Sequence, residues 1–271
     1  MTTWHALNKT DHRHAGYKKF DSYNHARNDT AAPLLAAELS QALPYYPLAF
    51  LPQGTSQEPR YQLVTLHSLQ PGLNLYVNDQ GQWLAPYVPS HYRSHPFKLV
   101  PNPQQNNALT LCFDLESGLV HTPAEPEDVP LFTPEGEFSE ALSAILDFLQ
   151  QCERNRHTTQ KWVNQLAEQQ LIVPWPIPTQ SLQGEAETHT VQGLYQIDEQ
   201  TLKQLPPQTA SDLLRSGALG LAYAQLWSQS RMQKLQQVAS AHAAADDKQR
   251  ALDTQMQDLF SDDGGNLKFD F

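Results

Sequence analysis

Arg60-Tyr61-Gln62-Leu63-Val64-Thr65-Leu66-His67 concentrates Tyr, Leu, Val and Thr, the residues that fit a pleated, half-buried surface, and it reads as a β-strand. Working outward, Tyr45-Tyr46-Pro47-Leu48-Ala49-Phe50-Leu51 upstream is a short apolar run bounded by prolines, a second strand with Pro at its start. Downstream, Asn78-Asp79-Gln80-Gly81 is a turn in which Gly81 can take a positive φ, so Leu73 to Trp83 reads as a hairpin with a strand from Asn74 to Asn78. Pro96 to Leu99 and Ala108 to Asp114 add further strands. Short strands joined by tight turns predict a mostly antiparallel sheet in the first half of the chain.

The second half changes period. Phe138, Leu142, Ile145, Leu146 and Leu149 recur at helical spacing with Ser139 or Thr133 as the cap, and Thr158 or Thr159 opens a run with Trp162, Val163 and Leu166, so these segments predict an αα-hairpin. Leu171 to Val173 and Thr188 to Ile197 read as strands, Gln208 to Leu214 as a helix, and Ser216 as the cap of a longer helix carrying Leu219, Tyr223, Leu226 and later Leu235 and Val238. Ala31 to Leu43 reads as a helix with Leu34, Leu35, Leu39 and Leu43 on one side. The expected fold class is α+β, a mostly antiparallel sheet from the first half packed with helices from the second. Residues 1–30 read as an irregular arm, 31–240 as one domain, and 241–271 as a polar helical tail with a turn at Asp262-Asp263-Gly264-Gly265.

Net charge is -11, from 29 acidic and 18 basic residues, and such a chain repels phosphate backbones; nucleic acid is not an expected partner. From Leu99 to Glu153 there is no Lys or Arg, a stretch read as a solvated acidic face. Cys112 in an apolar run and Cys152 near a helix end give no disulfide framework, and a reducing compartment is expected. No leader-like h-region and no membrane-length segment appear, so a cytoplasmic chain without membrane insertion is expected.

Walker A, GxGxxG, GxSxG, HExxH and CxxC patterns are absent, and no cofactor is expected. No metal centre is expected either. Among the eleven histidines, His12 and His14, spaced HxH beside Asp11, with His25 further on, are the residues that would supply one. The densest constellation is Trp83 to Phe97, with Trp83, Tyr87, Tyr92, His91 and His95 around Arg93, which stands alone among basic residues between Arg60 and Lys98. Two readings follow. In one, Trp83, Tyr87, Tyr92 and His95 wall a ligand site anchored by Arg93, which forks onto a carboxylate or phosphate. In the other, which is favoured, Arg93 is a structural residue tied to an internal acid or to backbone carbonyls, and if the partner is an internal carboxylate Arg93→Ala costs about 3–5 kcal/mol.

Tyr46-Pro47-Leu48-Ala49-Phe50, Asn74-Leu75-Tyr76-Val77-Asn78-Asp79-Gln80-Gly81-Gln82-Trp83 and Tyr87-Val88-Pro89-Ser90-His91-Tyr92-Arg93-Ser94-His95-Pro96-Phe97 resemble, in the same order, three runs of the SapC family. Leu131-Phe132, Gly193 to Glu199 and Gly217-Ala218-Leu219 also fall where that family has similar elements, so the resemblance spans roughly residues 10 to 240. His91 departs from it, standing where the family often has an aromatic or small residue. The family name comes from a bacterial surface-layer locus, and many relatives lie beside genes for TonB-dependent receptors, cupin-like hydroxylases and flavin-dependent halogenases. The resemblance therefore implies a non-catalytic accessory or binding protein near envelope or uptake systems, with a protein partner and room for a small-molecule or peptide ligand. The alternative is an enzyme or metal-binding protein using the His-rich N-terminal segment or an Arg93-centred pocket.

Overall fold

The computed structural model describes residues 3–54, 60–102, 108–180 and 188–261. The described residues combine helices with antiparallel sheets, which makes the fold α+β. In chain order the elements are β1 (Trp4–Ala6), β2 (Gly16–Tyr17), β3 (Ala31–Pro33), α1 (Leu39–Ala42), β4 (Leu48–Gln53), β5 (Arg60–Leu66), α2 (Ser90–Arg93), β6 (Phe97–Asn102) and β7 (Ala108–Asp114). They continue as β8 (Val120–His121), β9 (Val129–Pro130), α3 (Glu140–Glu168), β10 (Ile172–Pro174), β11 (Ile177–Gln180), β12 (Thr188–Val191) and β13 (Tyr195–Ile197). The last four are α4 (Glu199–Lys203), α5 (Pro207–Ser216), α6 (Ala218–Ser228) and α7 (Ser230–Ser261).

The central sheet has the order β10-β13-β4-β5-β3, and β4 and β5 run in register from Leu48↔Thr65 to Gln53↔Arg60. Strand periodicity splits its residues between two faces. Leu48, Phe50 and Leu63 pack with Val163 and Leu166 of α3 and with Ala218, Leu221 and Ala222 of α6. Ala49, Val64 and Leu66 face the other way, against Ile177, Met232 and Leu235. A second sheet, β1-β7-β6, buries Phe97, Leu111 and Phe113 against Leu142 and Leu149 near the start of α3. One helix thus serves both cores. Residues 1–30, read from sequence as a lead-in, supply β1 and β2 and bury His12, Ala15, Tyr17 and Ala26. Among the described residues no helix is long and apolar enough to cross a membrane.

Several local expectations need correction. Ala31 to Leu43 is not one helix: Ala31–Pro33 pairs with β5 as an edge strand, where a missing N–H is tolerated, and a 3-10 turn at Ala36–Glu38 precedes α1. The hairpin at Leu73 to Trp83 keeps its turn, with Gly81 at φ +75, but its ladder shrinks to the single bridge Val77↔Trp83. Two cross-strand backbone bonds remain, Leu84 N to Tyr76 O at 2.8 Å and Asn78 N to Gln82 O at 3.1 Å, and Asn78 Oδ1 reinforces the turn by accepting from Gln80 N at 3.1 Å and from Gln82 N at 2.8 Å. The αα-hairpin is a single 29-residue helix. Ser139 does cap it, accepting from Leu142 N at 3.2 Å. Thr158 and Thr159 do not open a second helix; their hydroxyls bond back to Arg154 O and Asn155 O, and Arg156 pairs with Glu153 across the same turns. The strand expected from Thr188 to Ile197 breaks at Gly193, φ +86, into β12 and β13. Gly217, not Ser216, precedes α6, left-handed at φ +97 with Trp162 so close that an added Cβ would lie 2.5 Å from its ring. The turn expected at Asp262 to Gly265 lies outside the described residues.

Candidate functional site

The Trp83–Phe97 segment lies between the two cores. Tyr92 and Phe97 are buried, Trp83, Tyr87 and His95 half-buried, and Leu84, Pro86, His91 and Arg93 exposed. Tyr92 and Trp83 meet at 5.2 Å between ring centroids, and Tyr76 stacks on Trp83 at 15°. Trp83 Nε1 donates to Tyr46 Oη at 2.8 Å, and Tyr46 Oη donates in turn to the Tyr87 carbonyl. The rings expected to wall a ligand are therefore brought together, but several of them close on one another and on His67.

His67 is fully buried among Tyr46, Tyr76, Trp83 and Tyr92. Its Nδ1 lies 3.2 Å from the Asp29 carbonyl, which only accepts, so Nδ1 carries the proton; Nε2 lies 3.0 Å from Thr65 Oγ1, whose one proton it shares with the Ala32 carbonyl at 3.3 Å. Burial pushes its pKa from 6.5 down to about 3. Between those values the unfolded chain binds a proton that the native one refuses, so stability falls as pH drops below 6.5. From pH 7 to pH 5 this group should remove about 2 kcal/mol, and His67→Gln should flatten that part of a urea-midpoint pH profile. An unaltered profile in the variant would show that His67 is not the group responsible.

Beneath α2 sits a residue that the sequence reading passed over. Glu38 is 5% exposed, and its carboxylate accepts from Leu35 N (3.0 Å), Tyr87 Oη (2.5 Å), Ser90 N (2.7 Å) and Ser90 Oγ (2.7 Å). No cation completes the set among the described residues; neutral donors use the acceptor capacity of both oxygens. One sequence signal was available. Glu38 falls three and four places after Leu35 and Leu34, an acid set on an otherwise apolar helical stripe.

That arrangement decides between the two readings of Arg93. The internal acid is spent on Tyr87, Ser90 and Leu35, and Arg93 is exposed, with no ion pair to any described residue. Its guanidinium lies over the Phe148 ring at 5.0 Å and the Tyr87 ring at 5.7 Å. The structural reading, with its loss of about 3–5 kcal/mol, is therefore corrected to about 1 kcal/mol or less, as suits an exposed cation on aromatic faces.

His95 stacks on His25 at 3.8 Å and 7°, with Phe20 edge-on to both. Burial of the stacked faces, and for His25 also the nearness of His95, holds both imidazoles down at about 4. The N-terminal histidines do not join them. His12 is buried with Nδ1 at 3.2 Å from Asn8 N and O, and His14 is exposed. Among the described residues no group of three or more His, Cys, Asp or Glu side chains converges on a point. Cys112 is buried and free, Cys152 is half-buried beside Ser90, and burial raises both thiols. On the far face of the central sheet, a cavity of about 210 Å³ opens between Leu51, Leu66, Leu69, Val191 and Leu194. It is smaller than the range of about 300–1,000 Å³ usual for ligand pockets.

An antiparallel α+β body, with a ring wall pinned over a buried carboxylate, is the class of protein these features define. The SapC family model matches residues 7–235, which include every residue of that wall, and the chain belongs to the SapC family. Neither a curated protein nor a solved structure matches the chain.

Proposed function

We propose that this SapC-family chain is a non-catalytic accessory protein that works by binding a protein partner through the face around α2, inside the cell and close to envelope or uptake systems. The observation that supports this most is the division of labour in the wall. Tyr46, Trp83, Tyr87, Ser90 and Glu38 spend their polar groups on one another, which makes a rigid platform. Leu84, His91 and Arg93 stand out from that platform into solvent. A preorganised surface loses little entropy on association, which favours recognition. A photoreactive residue placed at His91 or at Leu84 in the native host should yield one and the same adduct, absent when the probe replaces the exposed Leu214 on α5. No discrete adduct from either wall position, or equal capture from Leu214, would overturn the reading.

A further inference from the structure

The chemistry of the α2 face narrows the kind of partner. Although the chain carries a net charge of -11, this face carries two exposed cations, Arg93 and Lys98, beside the imidazoles of His91, His25 and His95, which burial keeps neutral at pH 7. His91 lies within the fields of Lys98 and His25, and Arg93 within reach of Tyr23. The opposing charges nearby are Glu38, which is buried and saturated by its donors, Glu153, which is paired with Arg156, and Asp114, which acts on His25.

We propose, resting on the binding reading above, that this surface docks an acidic segment of the partner protein, with one of its carboxylates seated on the edge of the Arg93 guanidinium. The rings of Phe148 and Tyr87 meet the guanidinium over their faces and leave its N–H edge unpaired toward solvent. That edge is a planar fork whose spacing matches the two oxygens of a carboxylate. The rings also fix the side chain, so less rotamer freedom is lost on binding. The site is open, so a free small acid has few walls to hold it, whereas a segment with several carboxylates gains from Lys98 as well.

The test is a titration followed through the Arg93 Nε–Hε resonance and the backbone amides of residues 91–98. Hexaglutamate is the probe, hexaglutamine the neutral control, and inorganic phosphate and phosphatidylglycerol vesicles the competing anions. Hexaglutamate should shift these signals saturably, and hexaglutamine should not. Arg93→Lys keeps the charge but loses the fork, so it should weaken binding about tenfold or more. Arg93→Ala should abolish binding, and both variants should melt with the wild type. Absence of a saturable shift, equal binding by Arg93→Lys, or tighter binding of phosphate or vesicles would each overturn the carboxylate assignment. If the photo-adduct at His91 persists in that event, the binding role survives and only the ligand chemistry is lost; if the adduct is absent as well, both fail.

Discussion

Replacing Glu38 by Ala should destabilise the native state by about 3–5 kcal/mol, because it strips a buried acceptor from four donors at once. Tyr87 is half-buried and its hydroxyl can turn to water, but the amides of Leu35 and Ser90 cannot. Removing the carboxylate also frees α2 from the 3-10 turn at Ala36–Glu38, and with it the shelf on which Arg93 is displayed. Glu38→Gln keeps the volume but leaves one oxygen to accept, so it should fall between wild type and Ala. Urea denaturation of the three proteins at neutral pH is the measurement. A loss under about 1 kcal/mol for Ala would mean that water replaces the carboxylate freely and that the hub is not structural.

Gln225→Leu should cost about 3 kcal/mol although it places an apolar side chain in a core. Strand β13 touches β4 through the single pair Tyr195↔Phe50, and the sheet would otherwise end there with open backbone groups. The Gln225 amide from α6 fills the gap, donating from Nε2 to Leu48 O at 3.1 Å and accepting at Oε1 from Ile197 N at 3.0 Å. The residue is 0% exposed, so neither group has water as an alternative. Ser228 completes the seam by accepting from Leu48 N at 2.9 Å. Leu matches the size of Gln but leaves a buried donor and a buried acceptor unpaired, at about 1–3 kcal/mol each. A Leu variant as stable as wild type would show that packing, not the amide, joins α6 to the sheet.

Strands β4 to β7 were legible because each is a run of apolar, aromatic or β-branched residues with its own turn signals. The start of α3 was legible in Ser139. Its continuity was not, since Arg154 to Thr158 between the two cores is polar and mostly exposed, and a solvent-facing stretch of helix shows no apolar period. The strand β3 was hidden by its length of three residues and by Pro33; only the partner β5 makes it a strand. In the Trp83–Phe97 segment, the sequence reading missed the bonds that hold it. Nothing local says that Tyr87 and Ser90 reach an acid about fifty positions upstream, so the acid was assigned to Arg93 instead. Gln225 likewise carries no local signal of its role, because its two partners are brought to it by the sheet.

The unbroken run of α3 past both cores bears on how this protein can vary. Its first turns close the β1-β7-β6 body, and its last turns close the central sheet. The chain therefore has no interior point at which one half could be exchanged for that of a relative and leave two self-sufficient modules. A change of length within the helix would rotate one half against the other by about 100° per residue, and would carry Phe148, the ring beneath Arg93, away from its place. Variation is thus steered to the loops and to the far end of α7, while the 29 residues of α3 act as the ruler against which both halves are cut.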